Sequence, residues 1–250
     1  MLIVISPAKK LNEQVNIDVK LTEPKLIDIT KNLHKELKNK TPNDLKKLMG
    51  ISDNLAELNV ERFQSMQFPQ VEKALPAALM FNGDTYTGLE FPSLSKKDQS
   101  FAQDHLRILS GLYGILRPFD KVQPYRLEMG TRLKTKFGNN LYDIWKEKVT
   151  SEINNELTKH AALINLSSNE YFSSIDTKKV IKPIITPVFK EERNGKLKII
   201  SFNAKKARGL MSRYIITQKL ENPKDLLEFD LDNYQYSESE SKENQPTFIR

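Results

Sequence analysis

Residues 95–130, SKKDQSFAQDHLRILSGLYGILRPFDKVQPYRLEMG, decide how the rest of the chain is read. Ser95 followed by Asp98 forms a capping-box pattern with Asp in the Glu/Gln place. Phe101, His105, Ile108 and Leu109 then recur at helical spacing, so the pattern predicts a helix over 96–109. Two glycines three apart in Ser110-Gly111-Leu112-Tyr113-Gly114 permit positive φ and close approach, which predicts a tight hairpin. Arg117-Pro118 and Gln123-Pro124-Tyr125-Arg126 prevent a long second helix and leave two arginines on ordered, irregular backbone. Free N–H groups in a turn beside guanidiniums make a phosphate seat; the competing reading is a plain helix C-cap with solvated arginines.

Toward the N-terminus, Leu2 to Ser6 reads as a buried strand closing on Ser6-Pro7-Ala8-Lys9. Lys9 then lies at a strand's carboxyl end, where sites often lie in α/β folds. Leu26, Ile29, Leu33 and Leu37 mark one helical face, Thr41-Pro42 opens a second helix and Ser52 caps a third. Their lysines read as solvated faces. Ala77 to Phe81 reads as a strand and 82–88 as a polar loop, either an ordinary turn or a site lining with Asp84 and Tyr86 pointing in.

Toward the C-terminus, Leu141, Trp145, Val149, Ile153 and Leu157 step by four through a core helix in which Trp145 is packed. Ala162 to Leu166 reads as a buried strand closing on a helix start at Ser167 to Tyr171, which includes Glu170. Pro187 to Phe202 reads as a hairpin turning at Asn194-Gly195, with Asn203 as the N-cap of the helix that follows. Lys205, Lys206 and Arg208 in its first turns oppose the helix dipole, and an anion held there would offset that penalty. Gly209 costs about 1 kcal/mol against alanine inside a helix, which a close approach would explain. Lys206, Gly209 and Arg213 share one face. In the tail, Leu226-Leu227 reads as a short helix, and Tyr234, Tyr236 and Phe248-Ile249 as edge strands around a mobile acidic loop, Glu238 to Glu243.

With 250 residues and 38% apolar content, the chain can bury a real core as one large domain or two small ones. The absence of cysteine excludes disulfides, iron–sulfur clusters and thiolate zinc sites. His34, His105 and His160 lie far apart without ligand spacing, so neither a histidine metal site nor a cofactor is expected. The apolar run Leu2 to Ile5 is too short for a signal peptide and no segment suits a membrane span, so a soluble protein is expected. The net charge of +7 is uneven: the acidic segment 221–250 holds eight acids against three bases, leaving the first 220 residues strongly basic and suited to a polyanion. GxxxxGK[ST], GxGxxG after a strand, HExxH and GxSxG are all missing, which removes support for ATP, dinucleotide, zinc-hydrolase or serine-hydrolase chemistry.

Ser6-Pro7-Ala8-Lys9, Asn82-Gly83-Asp84 with Tyr86-Thr87-Gly88-Leu89, the run from His105 to Gly130, and Ala204 to Arg213 together resemble the YaaA family, also called DUF328 or UPF0246. The resemblance covers essentially the whole chain. It implies a cytoplasmic DNA-binding protein of the peroxide-stress response, folded as a single mixed α/β domain over 1–250 with a basic cleft. It also implies a helix-hairpin-helix element at about 101–120. On that basis Ser110, Gly111, Leu112, Tyr113 and Gly114 would meet a backbone phosphate. Lys9, Arg107, Arg117, Arg126, Lys205, Lys206, Arg208 and Arg213 would neutralise others, without sequence specificity. The hairpin departs from the usual Gly-apolar-Gly by one residue. The alternative is an enzyme acting on a nucleotide-like or phosphorylated small molecule, a small anionic ligand in the same cleft. Lys9, Asp84, Tyr86, Tyr113, Glu128 and Glu170 are its candidate catalytic residues, with Arg126 and Lys205 beside them.

Overall fold

A computed structural model describes residues 1–15, 18–69 and 74–250. The chain is mixed α/β, built on a five-stranded sheet whose middle strand is the first apolar run, β1 (Leu2–Ile5). On one side β1 pairs in parallel with β2 (Leu106–Ser110), which turns back antiparallel into β3 (Gly114–Leu116). On the other side it pairs in parallel with β4 (Leu163–Leu166), which pairs in parallel with β5 (Ile184–Ile185). Every residue of β1, β2 and β4 is buried, so these strands read as continuous apolar runs without alternation. A second sheet joins β6 (Val188–Arg193), β7 (Lys196–Lys198), β8 (Gln235–Lys242) and β9 (Gln245–Ile249).

Three N-terminal helices follow the predicted faces: α1 (Ile27–Lys38), α2 (Pro42–Met49) and α3 (Asp53–Ser65). A reciprocal capping box of Thr41 and Asp44 starts α2, and Gly50 in the left-handed region ends it. Next come α4 (Asp84–Leu89), α5 (Lys96–His105), α6 (Leu141–Leu157), with Trp145 fully buried, and α7 (Ser201–Gln218). None of the described helices is long and apolar enough to cross a membrane.

The structure corrects the reading of the central stretch. The helix that Ser95 caps stops at His105, and Leu106 to Ser110 form β2 because Leu106, Arg107 and Ile108 align with Ile3, Val4 and Ile5 in the parallel ladder. A run with apolar residues at both helical and adjacent positions satisfies either period, and burial on both faces selects the strand. The two glycines therefore close a β-hairpin, with Ser110 opposite Gly114, and there is no helix-hairpin-helix at 101–120. Gly114 does adopt φ +71, but a side chain there would run into the Trp145 ring, and one on Gly111 would run into the Leu127 carbonyl. Trp145 Nε1 donates to Gly111 O at 2.8 Å, and Gly111 to Gly114 are buried, so this turn presents no phosphate seat to solvent.

Other boundaries move as well. Ala77–Met80 is a helical turn rather than a strand, and the polar loop after it is α4. The hairpin turns at Asn194-Gly195 with both residues at positive φ, but α7 begins at Ser201, so Asn203 lies inside its first turn and does not cap it. Glu238 to Lys242 lie in strand β8, which pairs antiparallel with β9.

Burial pushes the His160 imidazole down to about 4, assisted by the Met1 amine, His105 and Arg107 and opposed by Glu221. His34, whose Nε2 meets Phe63 O at 2.7 Å, is lowered for the same first reason. A depressed folded-state value means the unfolded chain binds more protons. Stability is thus full above the unfolded value of about 6.5 and falls as the pH drops toward 4. Urea denaturation at successive pH values is expected to show this fall, and His160→Gln to reduce it. Unchanged stability across pH 6.5 to 4.5 would contradict the lowered titration of these histidines.

Candidate functional site

The carboxyl ends of β1 and β4 lie side by side, and the chain leaves β1 toward β2 before returning to β4 on its other flank. Such a reversal is where open α/β sheets form crevices. Ser168 N donates to Ser6 Oγ at 2.9 Å, tying the two strand ends together, and Tyr86 OH donates to Ser6 O at 3.1 Å. Ser110 Oγ and Tyr125 OH are 2.6 Å apart beneath them. Burial holds the phenols of Tyr86, Tyr125 and Tyr171 well above their ordinary value. They stay protonated at neutral pH, and the Tyr86 hydroxyl serves as a hydrogen-bond donor to Ser6 O.

Next to these ends the chain from Glu128 to Lys134 faces α2 across an open cleft of about 850 Å³. Glu128 lies in its wall, held by Lys9 and Arg126, each at 3.0 Å. Glu170 accepts from Gly130 N at 2.9 Å. Both acids in that wall are therefore engaged by local donors. On the rim, Lys40, Lys47, Arg132 and Lys134 have no ion-pair partner among the described residues. Asp44, the remaining rim acid, is committed to the Thr41 cap, and the Thr41 hydrogen bonds, with a smaller contribution from the Lys40 and Lys47 charges, lower its carboxyl. The rim carries more free positive charge than negative.

The fold gathers part of the predicted set here and scatters the rest. Glu128 and Glu170 line the cleft, and Lys9 and Arg126 are tied to it through their ion pairs with Glu128. Tyr86 sits behind Ser6, and Asp84 starts α4. Gly111, Leu112, Tyr113, Gly114 and Ser110 are buried. Arg107 is 5% exposed and pairs with Glu156, and Arg117 is bound to Asp120. Lys206 pairs with Asp232 at 3.4 Å. Arg213 donates to Leu89 O and Glu90 O, capping α4. The close approach that Gly209 permits is to the α4 backbone at Thr85 and Leu89. Lys205 is exposed, while Arg208 is half-buried, its guanidinium lowered by that burial; neither has an ion-pair partner among the described residues. Lys40, Lys47, Arg132 and Lys134 were invisible as a group because they come from two segments without common spacing. Only Arg132 and Lys134, alternating just after Gly130, carry a local sign of a shared face.

The sequence profile of the family described as Peroxide stress protein YaaA matches residues 1–240. The UPF0246 protein of Ruegeria pomeroyi is 49% identical over 253 residues, covering 100% of this chain and 98% of that protein. The UPF0246 protein of Caulobacter vibrioides is 52% identical over 239 residues, covering 94% and 93%. That of Aliivibrio fischeri is 48% identical over 255 residues, covering 100% and 98%. With a match spanning nearly the whole chain and relatives at this identity, the chain belongs to the peroxide stress protein YaaA (UPF0246) family.

Proposed function

We propose that the chain binds DNA through its phosphate backbone, with the open cleft between α2 and residues 128–134 as the seat, and that it does so in the response to peroxide for which the family is named. The observation that carries this reading is the rim: Lys40, Lys47, Arg132 and Lys134 face an open cleft while the acids beside them are already engaged. Such cations release counterions when they meet phosphates and carry no base information, so the binding is sequence-independent. Lys205 and Arg208 extend the set of cations without an ion-pair partner among the described residues. The amides of the Gly111–Gly114 turn have no part in it.

A duplex of unrelated sequence, labelled at one end, is titrated by anisotropy between 50 and 200 mM salt. Each neutralised phosphate contributes about −0.9 to the slope of log K against log salt, so four rim contacts give a slope of about −3.6. Failure to bind at low salt, or a flat salt dependence, would remove the reading. One observation favours a phosphorylated small molecule as occupant instead: Glu128 and Glu170 line one wall, with Lys9 and Arg126 paired to Glu128. That occupant would bind tightly in isolation and leave duplex DNA unbound.

A further inference from the structure

At the opposite edge of the main sheet, the amino ends of β1, β2 and β4 carry a second cluster of polar groups. His105 ends α5 immediately before β2, His160 lies in the turn between α6 and β4, and Glu221 follows α7. Sequence spacing separates the two histidines, and the parallel strands bring them together. One ligand atom from each of the three residues lies within 4.8 Å of the others. The two imidazoles meet edge to face, with 4.7 Å between ring centroids.

The environment orients these groups as a ligand set. His105 Nδ1 is 2.9 Å from the Met1 carbonyl oxygen, which can only accept, so Nδ1 carries the hydrogen and Nε2 keeps its lone pair. That Nε2 faces Glu221 Oε1 at 3.6 Å, too far for a hydrogen bond. A carbonyl on the far ring nitrogen is the usual way a metal-binding histidine is fixed in tautomer and direction. Phe101 stacks on the His105 ring at 3.7 Å and holds its plane. His160 Nδ1 is buried and has no hydrogen-bond partner among the described residues, a state that buried polar atoms rarely keep without an unseen occupant. Glu221 Oε2 accepts from the Met1 amine at 3.0 Å, which leaves Oε1 for another partner.

We propose that His105, His160 and Glu221 bind a divalent transition-metal ion of the zinc class. Two imidazoles and one carboxylate are a ligand set that suits zinc, with the remaining position open to water. The site stands apart from the cleft and does not depend on the DNA-binding reading.

Protein without a histidine tag, stripped with a chelator, is titrated with Zn2+ by calorimetry, alongside His160→Ala and Glu221→Gln. The expected result is one saturable equivalent in the unaltered chain and an affinity lower by at least about tenfold in each variant. Circular dichroism confirms that each variant is folded. If His160→Ala fails that check, Glu221→Gln carries the test, since the Glu221 side chain is 61% exposed. No saturable binding, or undiminished affinity in the folded variants, would overturn the proposal and leave a hydrogen-bonded cluster alone.

Discussion

Replacing Gly209 with alanine is expected to cost about 3 kcal/mol or more of folding stability, because the added methyl has nowhere to go. A Cβ on Gly209 would lie 1.9 Å from Thr85 O and 2.7 Å from Leu89 N. The obstacle is backbone, so no rotamer change relieves it. The same crossing is pinched from the other side, where a Cβ on Gly88 would lie 2.1 Å from Lys206 O. Small residues at both positions let α4 and α7 touch along their backbones, and Arg213 then caps the end of α4 through Leu89 O and Glu90 O. In an ordinary exposed helix the same change would instead stabilise by about 1 kcal/mol, so the sign alone separates the two cases. Denaturant unfolding of Gly209→Ala checks this, and a variant at least as stable as the parent would contradict the contact.

The second large effect belongs to Arg107. Its sequence context suggests a phosphate contact, but the fold buries it. Nη1 donates to Gln103 O at 2.9 Å and Leu106 O at 2.6 Å, and Nη2 lies 2.5 Å from Glu156 Oε2. The guanidinium thus caps the end of α5 and neutralises a carboxylate of α6 that is itself only 19% exposed. Arg107→Ala strands that carboxylate and is expected to cost about 3–5 kcal/mol. Pairing Arg107→Met with Glu156→Leu should restore much of the loss, since an apolar replacement of a buried ion pair is often near neutral. Thermal and urea unfolding of the single and double variants provide the numbers. A single variant as stable as the parent but unable to bind DNA would instead return Arg107 to the interface.

These two residues show what the sequence discloses and what it withholds. The buried strands Leu2–Ile5 and Leu163–Leu166, the helix through Trp145 and the Asn194-Gly195 turn are all carried by local apolar runs or turn chemistry, and each is where the pattern puts it. Leu106 to Ser110 is different. Its residues satisfy a helical period, and only the vacant flank of β1 makes them a strand. The glycines are legible as points of close approach, but not the identity of what approaches: Trp145 and Leu127 at the hairpin, α4 at Gly209. Charge has the same limit. Whether a cation is free depends on a carboxylate that may be distant in sequence, as Glu156 is from Arg107 and Asp232 from Lys206. Lys9, Arg126, Glu128 and Glu170 could be proposed because they flank strand ends, whereas Lys40 and Lys47 join the cleft only through the packing of α2.

The most direct test of the proposed cleft is the duplex affinity and salt slope of one variant in which Lys40, Lys47, Arg132 and Lys134 are all glutamine, set beside the unaltered chain at low salt. The rim account predicts a loss of at least about tenfold in affinity and a slope shallower by about 0.9 for each contact removed, with unchanged thermal stability. A folded variant that binds with the parent's affinity and slope would contradict it.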